Sequence, residues 1–239
     1  MARNKKIILS LIIAFIFIIG ILIGLEISPE KVIVNENKIS DGEEIKMSIV
    51  GVNGKEEGVP GELTTSIKNG KGKILVNINN VLAGYSLQNS ARVAAEVAGK
   101  YANTSLENYD ISYSIKTNAE SIDGPSAGSS MAISTIALLQ NKKINNKIII
   151  SGSINEKGEL EAIGGIIPKS DAAKKANASL FLVPDSAVIS PVYKKEKECG
   201  VLNGDEYCKI SYVQNYSNLG IEIKKVKNVG EALKYFYEI

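Results

Sequence analysis

The longest apolar segment of the chain lies near its N-terminus. Residues 7–25 are isoleucine, leucine, phenylalanine and alanine, broken only by Ser10, Gly20 and Gly24. At a rise of about 1.5 Å per residue, a helix of this length nearly spans a hydrocarbon core of about 30 Å. A cleaved signal peptide is the alternative, but its apolar region is usually about 7 to 15 residues long, and no small-x-small cleavage site follows cleanly. The pattern therefore predicts an uncleaved transmembrane anchor.

Beyond this segment the chain alternates between short runs with a period of two and longer ones with a helical period. The short runs predict strands that include 73–79, 111–116, 148–151 and 180–183. The longer segments predict helices at 86–102, 125–140, 168–178 and 229–238. Residues 155–158 predict a turn between two strands. Because hairpins alternate with helical crossovers, the sequence predicts one α+β domain at 46–239, preceded by a stalk or first strand at 26–45.

The charges that flank the apolar segment predict its orientation. Arg3, Lys5 and Lys6 precede it, whereas acidic residues dominate the stretch that follows. Because positively charged flanks stay in the cytoplasm, we expect a cytoplasmic tail at 1–6 and a single-pass protein of the cell membrane whose domain lies outside the cytoplasm. Basic and acidic residues nearly balance in the rest of the chain, which gives no electrostatic case for nucleic-acid binding.

Candidate chemistry is restricted because the 239 residues contain no histidine. This excludes a Ser-His-Asp triad, a Cys-His pair and histidine metal ligands, and no metal or cofactor is implied. A serine nucleophile then needs another base, and a lysine amine is the main documented substitute. Two segments supply such a pair. Ser126 lies within Asp-Gly-Pro-Ser-Ala-Gly at 123–128, and Lys169 follows Gly-Gly-Ile-Ile-Pro at 164–168.

Ser126 is predicted to open a helix. Pro125 favours the first helical position, with Asp123 or Gly124 as the cap. Free backbone amides near the serine, that of Ala127 included, would face an oxyanion on an attacked carbonyl, and the helix dipole would add to this stabilisation. An ordinary helix start after a turn is the alternative interpretation of the same string.

Lys169 can act as a base only if its pKa is lowered. At the reference pKa of about 10.4, roughly 4 in 10,000 lysines carry a neutral amine at pH 7. Ile166 and Ile167 would desolvate the amine, and the dipole of a helix with Pro168 in its first turn would act in the same direction. The alternative is a solvated helix lysine like Lys174.

The wider pattern resembles the proteolytic domain of the Lon protease family over roughly residues 46–239. Residues 123–128 resemble the nucleophile motif of that family, and Gly-Gly-x-x-x-Lys at 164–169 resembles its catalytic-lysine motif, with a fitting gap between them. Residues 147–153 are similar to its buried strand that ends in a hydroxyl and a glycine. Weaker similarities link 81–95 to its first helix, and 179–184 with 229–233 to its closing strand and helix.

The resemblance implies specific roles for several residues. Ser126 would be the nucleophile and Lys169 the general base of a Ser-Lys dyad. Ser151 takes the position of the hydroxyl that hydrogen-bonds the lysine in the family. Asp123 would shape the loop that enters the nucleophile helix, with Gly124 letting a substrate backbone come close.

The resemblance also has a limit. Full-length family members join this domain to an ATPase, but no Gly-x-x-x-x-Gly-Lys-Ser/Thr phosphate loop occurs in these 239 residues. We therefore expect ATP-independent hydrolysis of peptide bonds in unfolded or flexible protein segments. A homo-oligomer is compatible with the family, whose members form rings.

The two cysteines, Cys199 and Cys208, flank a turn-forming stretch in a loop at about 193–214. A disulfide between them would suit an oxidising compartment, and two unpaired thiols are the alternative. Two rival functions also stay open. One is a signal-peptidase-like processing enzyme, which also uses a Ser-Lys dyad outside the membrane. The other is a non-catalytic Lon-like binding or assembly module.

Overall fold

The computed structural model of the protein describes residues 42–78, 82–118, 121–122, 124–188, 192–202, 205–215 and 220–237. All of them belong to one unit that spans residues 37–239. The predicted tail, the predicted anchor at 7–25 and most of the predicted stalk lie outside the described residues. Within the described ranges, no helix is long and apolar enough to cross a membrane.

A four-stranded mixed sheet forms the first layer. Its strands are β1 (Glu43–Val52), β2 (Gly58–Asn69), β3 (Ile74–Ile78) and β5 (Tyr109–Thr117), in the order β1-β2-β5-β3. Neighbours are antiparallel except β3 and β5, which run parallel. The parallel pair requires a crossover, which helix α1 (Tyr85–Ala102) supplies. Two short parallel strands, β4 (Leu82–Ala83) and β6 (Ser121–Ile122), complete this part of the chain.

One face of this sheet is buried, as the period of two predicts for β5. Ile111, Tyr113 and Ile115 are buried, while the residues between them are less so. Helix α2 (Gly128–Leu139) packs on that face and on α1, and all 12 of its residues are buried. Two hydroxyls of this helix pair with hydroxyls of the sheet: Thr135 Oγ1 lies 2.7 Å from the Tyr113 hydroxyl, and Ser134 Oγ lies 2.7 Å from Oγ1 of Thr65. Helix α2 is therefore the centre of the core.

A three-stranded parallel sheet forms the second layer. Its strands are β7 (Ile148–Ile150), β10 (Leu180–Pro184) and β13 (Glu222–Val226), with β10 in the middle. The short strands β8 (Ser153–Ile154) and β9 (Leu160–Glu161) form an antiparallel pair around the predicted turn at 155–158. Helices α3 (Ile166–Lys175) and α4 (Val229–Tyr237) follow β9 and β13. A second apolar cluster, with Ile149, Ile166 and Phe181 at its centre, packs α3 against this sheet.

The predicted α+β class is confirmed, but two segments differ from the sequence prediction. The first is the β1–β2 hairpin, of which the prediction covered only the start, because the predicted stalk or first strand ended at residue 45. The second is the cysteine-bearing loop, which is a long antiparallel ribbon of β11 (Val192–Leu202) and β12 (Asp205–Asn215). Asn-Gly at 203–204 lies in the stretch that was predicted as a turn, but the strands on either side were not predicted, although this dipeptide favours two-residue hairpin connections.

The ribbon places the two cysteines directly opposite each other. Cys199 pairs with Cys208 in the strand register, their Cα atoms lie 4.0 Å apart, and the sulfurs form a disulfide. The bond therefore joins two strands that are already hydrogen-bonded. Whether the thiols are oxidised in the cell stays a prediction that depends on the compartment.

Candidate active site

Ser126 lies in a 3₁₀ turn (Pro125–Ala127) directly before α2, and it is half-buried. The sequence predicted one continuous helix from residue 125, but the α-helix begins at Gly128. Short 3₁₀ turns are common at helix N-termini. Gly124 precedes the turn with a φ of +108°, a conformation that residues with a side chain rarely adopt. Gly124 thus supplies the sharp entry into the turn that carries the serine.

The serine's turn is fixed to the end of β7 by backbone hydrogen bonds. The Gly152 amide donates to the Ser126 carbonyl at 2.9 Å, and the Ser129 amide donates to the Gly152 carbonyl at 3.0 Å. The Ser130 hydroxyl donates to the Ile150 carbonyl at 3.0 Å. Because β7 is buried in the second layer, these bonds hold Ser126 on a rigid support rather than on a mobile loop.

Lys169 is the fourth residue of α3. The helix begins at Ile166, two residues before the predicted start, because Gly165 adopts a left-handed φ of +68° and the Lys169 amide already donates to its carbonyl at 3.0 Å. Pro168 then occupies the third helical position, where a missing amide is harmless because first-turn amides have no partner within the helix. A Cβ on Gly165 would lie 2.8 Å from Cγ2 of Val52, so this helix start also depends on close packing against β1.

The Lys169 side chain is enclosed, although it carries an amine. Only 6% of the residue is exposed to solvent. Burial lowers the pKa of Lys169 from 10.5 to about 8, because desolvation penalises the ammonium. At pH 7 roughly one molecule in ten then carries a neutral amine, compared with roughly 3 in 10,000 for an unperturbed lysine. The predicted desolvation is therefore present in the structure.

Ser126 and Lys169 line the same cleft, which has a volume of about 710 Å³. One wall is the end of β1 and the start of β2, another is the serine's turn, and a third is the segment that leads into α3. The two predicted catalytic residues, 43 positions apart in the chain, thus meet at one cavity. The first amide with an acceptor inside this turn is that of Gly128, which donates to the Pro125 carbonyl. The amides of Ser126 and Ala127 come before it in the chain and have no acceptor within the turn.

Gly58 is a residue of this site that the sequence prediction missed. It opens β2 and lies against the backbone of α3: a Cβ there would overlap the Pro168 carbonyl oxygen and lie 3.2 Å from Cβ of Ala172. Only glycine permits this approach, and Pro168 directly precedes the lysine. A glycine within a strand pattern is a signal of close backbone approach that could have pointed to it.

The supporting roles predicted for Ser151 and Asp123 stay predictions. Ser151 is 1% exposed, and its hydroxyl makes no hydrogen bond to any residue that the structure describes. The hydrogen bond to Lys169 that the resemblance implied is therefore not seen, and the orienting role of Ser151 stays a prediction. Asp123 lies outside the described residues, so its role in the loop before Gly124 also stays a prediction.

Several known proteins are similar to parts of this chain. The archaeal Lon protease of Archaeoglobus fulgidus is 25% identical over 169 residues, which are 67% of this chain and 26% of that protein. The Lon protease of Parabacteroides distasonis is 28% identical over 175 residues, covering 69% and 20% of the two chains. Lon protease 2 of Bacillus subtilis is 40% identical over 63 residues, covering 26% and 11%. The chain thus spans about a quarter or less of the length of these relatives.

The family match includes the serine's turn, the end of β7 and the start of α3. Residues 59–191, more than half of the chain, match the Lon protease (S16) C-terminal proteolytic domain. The match ends directly before the disulfide-bonded ribbon of β11 and β12. Because this match covers more than half of the chain and contains both Ser126 and Lys169, the chain belongs to the family of Lon protease (S16) C-terminal proteolytic domains.

Proposed function

We propose that this chain is a membrane-anchored serine endopeptidase that works without ATP and uses Ser126 and Lys169 as a catalytic dyad. The observation that carries the proposal is the cleft itself. A serine on a rigid turn and a buried lysine with a lowered pKa line one cavity, in a chain without histidine. Perturbed pKa values in a cleft favour a functional over a structural role.

The dyad can perform acyl transfer with the groups already present. Neutral Lys169 takes the proton of the Ser126 hydroxyl as the serine oxygen attacks a peptide carbonyl. The resulting ammonium returns this proton to the leaving amine, which releases the first product and leaves an acyl-enzyme ester on the serine. A water that gives its proton to the same lysine then attacks the ester carbonyl. The bond between the acyl carbon and the serine oxygen breaks, and the lysine ammonium returns the proton to that oxygen, which releases the second product and regenerates Ser126.

The serine's turn supplies the stabilisation of the oxyanion in this proposal. The amides of Ser126 and Ala127 have no acceptor within the turn, so they are available for the developing negative charge. Their support is the backbone pairing with Gly152, which fixes the turn before substrate binds. Preorganised donors of this kind do not have to reorient during the reaction.

The proposed substrates are flexible peptide segments, which a peptidase that works without ATP can cleave without unfolding them first. The apolar segment at 7–25 and the basic residues before it support anchoring with the domain outside the cytoplasm. An enzyme in this position would meet the exposed loops and tails of membrane and secreted proteins.

The test combines a serine-directed fluorophosphonate probe with hydrolysis of an unfolded protein such as casein, using the purified full-length chain in detergent. Wild type should be labelled and should cleave casein without ATP. Ser126→Ala and Lys169→Arg should each lower both signals by at least 100-fold, because arginine keeps the charge but cannot present a neutral amine. Lys175→Arg, an exposed lysine of the same helix, is the matched control and should resemble wild type.

Three results would contradict parts of this proposal. Equal labelling of wild type and Ser126→Ala, with no cleavage, would identify a non-catalytic module. Substantial turnover by Lys169→Arg would exclude the lysine as the general base. Cleavage confined to the signal sequences of preproteins would support the processing enzyme instead.

A further inference from the structure

The charge distribution of the cleft is uneven. Its described lining consists mainly of glycine, proline and aliphatic residues, and only Glu56 and Lys169 among them have ionisable side chains. Lys169 must be neutral to act as a base, and burial is the cause of its lowered pKa, with no offsetting carboxylate among the residues that the structure describes. Glu56 therefore contributes a negative charge to the cleft that is not used to stabilise the lysine.

The backbone of Glu56 is held by a hydrogen-bonded turn between β1 and β2. The Asn53 side-chain oxygen accepts from the amides of Lys55 and Glu57, both at 2.9 Å. The Asn53 side-chain amide donates to Oε2 of Glu57 at 3.0 Å. The carboxylate of Glu57 is thus part of the turn, whereas Glu56 is the residue of this turn that lines the cleft.

A second turn in the same protein shows what this geometry requires. At 155–159 the Asn155 side chain accepts from the amides of Lys157 and Glu159 and donates to Oε2 of Glu159, in the same pattern. The residue equivalent to Glu56 is Gly158, and both have a left-handed φ, of +62° and +79°. Glycine adopts this conformation at no steric cost, whereas the conformation is sterically unfavourable for a glutamate.

The comparison of the two turns isolates the role of the side chain. The turn forms equally well with glycine at this position, so Glu56 is not needed to build it. The first turn nevertheless carries an acidic side chain in an unfavourable backbone conformation, and this turn lines the cleft while the second does not. Departures from local preference of this kind are expected at functional sites.

We propose that Glu56 determines specificity by favouring substrates with a lysine or arginine side chain at the position that lies against the β1–β2 turn. The carboxylate attracts a cation and repels an acidic side chain, and its exposed position makes this preference modest and sensitive to salt. This inference rests on the proposed peptidase function. It adds the substrate class, which is a flexible segment with a basic residue near the bond that is cut.

The test uses quenched fluorogenic peptides that are identical except at one residue, which is lysine, norleucine or glutamate at each position in turn. Norleucine keeps the aliphatic stem of lysine without its charge. At one position, wild type should cleave the lysine peptide with a kcat/KM roughly three- to fivefold above the norleucine peptide, the scale of an exposed charge pair. The ratio should fall toward one in high salt, because salt screens such pairs.

Four variants distinguish the charge of Glu56 from its place in the turn. Glu56→Asp should keep the lysine-to-norleucine ratio, Glu56→Gln should bring it to about one, and Glu56→Lys should invert it. Glu56→Gly should also bring it to about one while folding normally, because the matched turn already has glycine there. Glu156→Gln, an exposed acid in the second turn, is the control and should keep the wild-type ratio.

The outcomes separate this inference from the proposed function. Ser126-dependent cleavage with equal rates for lysine, norleucine and glutamate peptides at every position would overturn the role of Glu56 and leave the peptidase intact. A preference for lysine that survives in both Glu56→Gln and Glu56→Gly would also overturn it. The absence of any Ser126-dependent cleavage would overturn the proposed function, and this inference with it.

Discussion

Replacing Gly58 with alanine should disable the site without touching a catalytic residue. The added Cβ would lie 2.5 Å from the carbonyl carbon of Pro168, against a normal carbon–carbon contact of about 3.5 Å. The obstacle is backbone, so rotation of a side chain cannot relieve it. Either β2 or the first turn of α3 must move by about 1 Å, and Lys169 is the next residue after the displaced peptide.

The size of the effect follows from this displacement. A shift of about 1 Å in a catalytic group can lower the rate about 100-fold, and overpacking of this kind typically costs about 1 to 3 kcal/mol of stability. We therefore expect kcat/KM for peptide hydrolysis to fall about 100-fold and Tm to fall by several degrees. If the shift opens the lysine to water, the apparent pKa of the pH–rate profile should also rise above 8, because desolvation is the cause of its lowered value.

The assay measures kcat/KM, the pH–rate profile and thermal unfolding on the full-length chain, well below the Tm of the variant. Gly54→Ala is the matched control, because Gly54 lies in the same hairpin and a Cβ there would meet nothing within 4 Å. It should keep activity and stability. A folded Gly58→Ala protein with wild-type kcat/KM, or an equal loss in Gly54→Ala, would refute the argument that this contact positions the lysine.

Two further predictions concern pH and topology. For wild type, kcat/KM should rise about tenfold between pH 7 and pH 9, because the neutral fraction of Lys169 grows as pH passes through its pKa of about 8; a flat profile from pH 6 to 10 would contradict the lysine base. Protease added to intact cells or spheroplasts should reach the domain, and mass spectrometry of membrane-isolated protein should show Cys199 linked to Cys208. Full protection before lysis, with both thiols free, would place the domain inside.

The sequence was sufficient to identify the candidate chemistry. The absence of histidine left lysine as the partner of a serine nucleophile, and local motifs around Ser126 and Lys169 marked both residues. Helix periodicity predicted α1 and α4 to within one residue at each end, since an amphipathic pattern is a local property. Local signals were less accurate at the start of α3, where the helix begins at Ile166, directly after the left-handed Gly165, rather than at Pro168.

Tertiary structure alone decided how the cleft is enclosed. The glycine at position 58 signals a close backbone approach, but the sequence does not identify the backbone before Lys169 as its partner. That contact joins residues far apart in the chain and depends on how α3 packs on the β1–β2 hairpin. The same hairpin brings Glu56 to the cleft, although its turn resembles the one at 155–159, which lies elsewhere. The sequence therefore determined which groups could react. Long-range packing determined which residues line the cleft around them and how little of the Lys169 side chain is exposed to solvent.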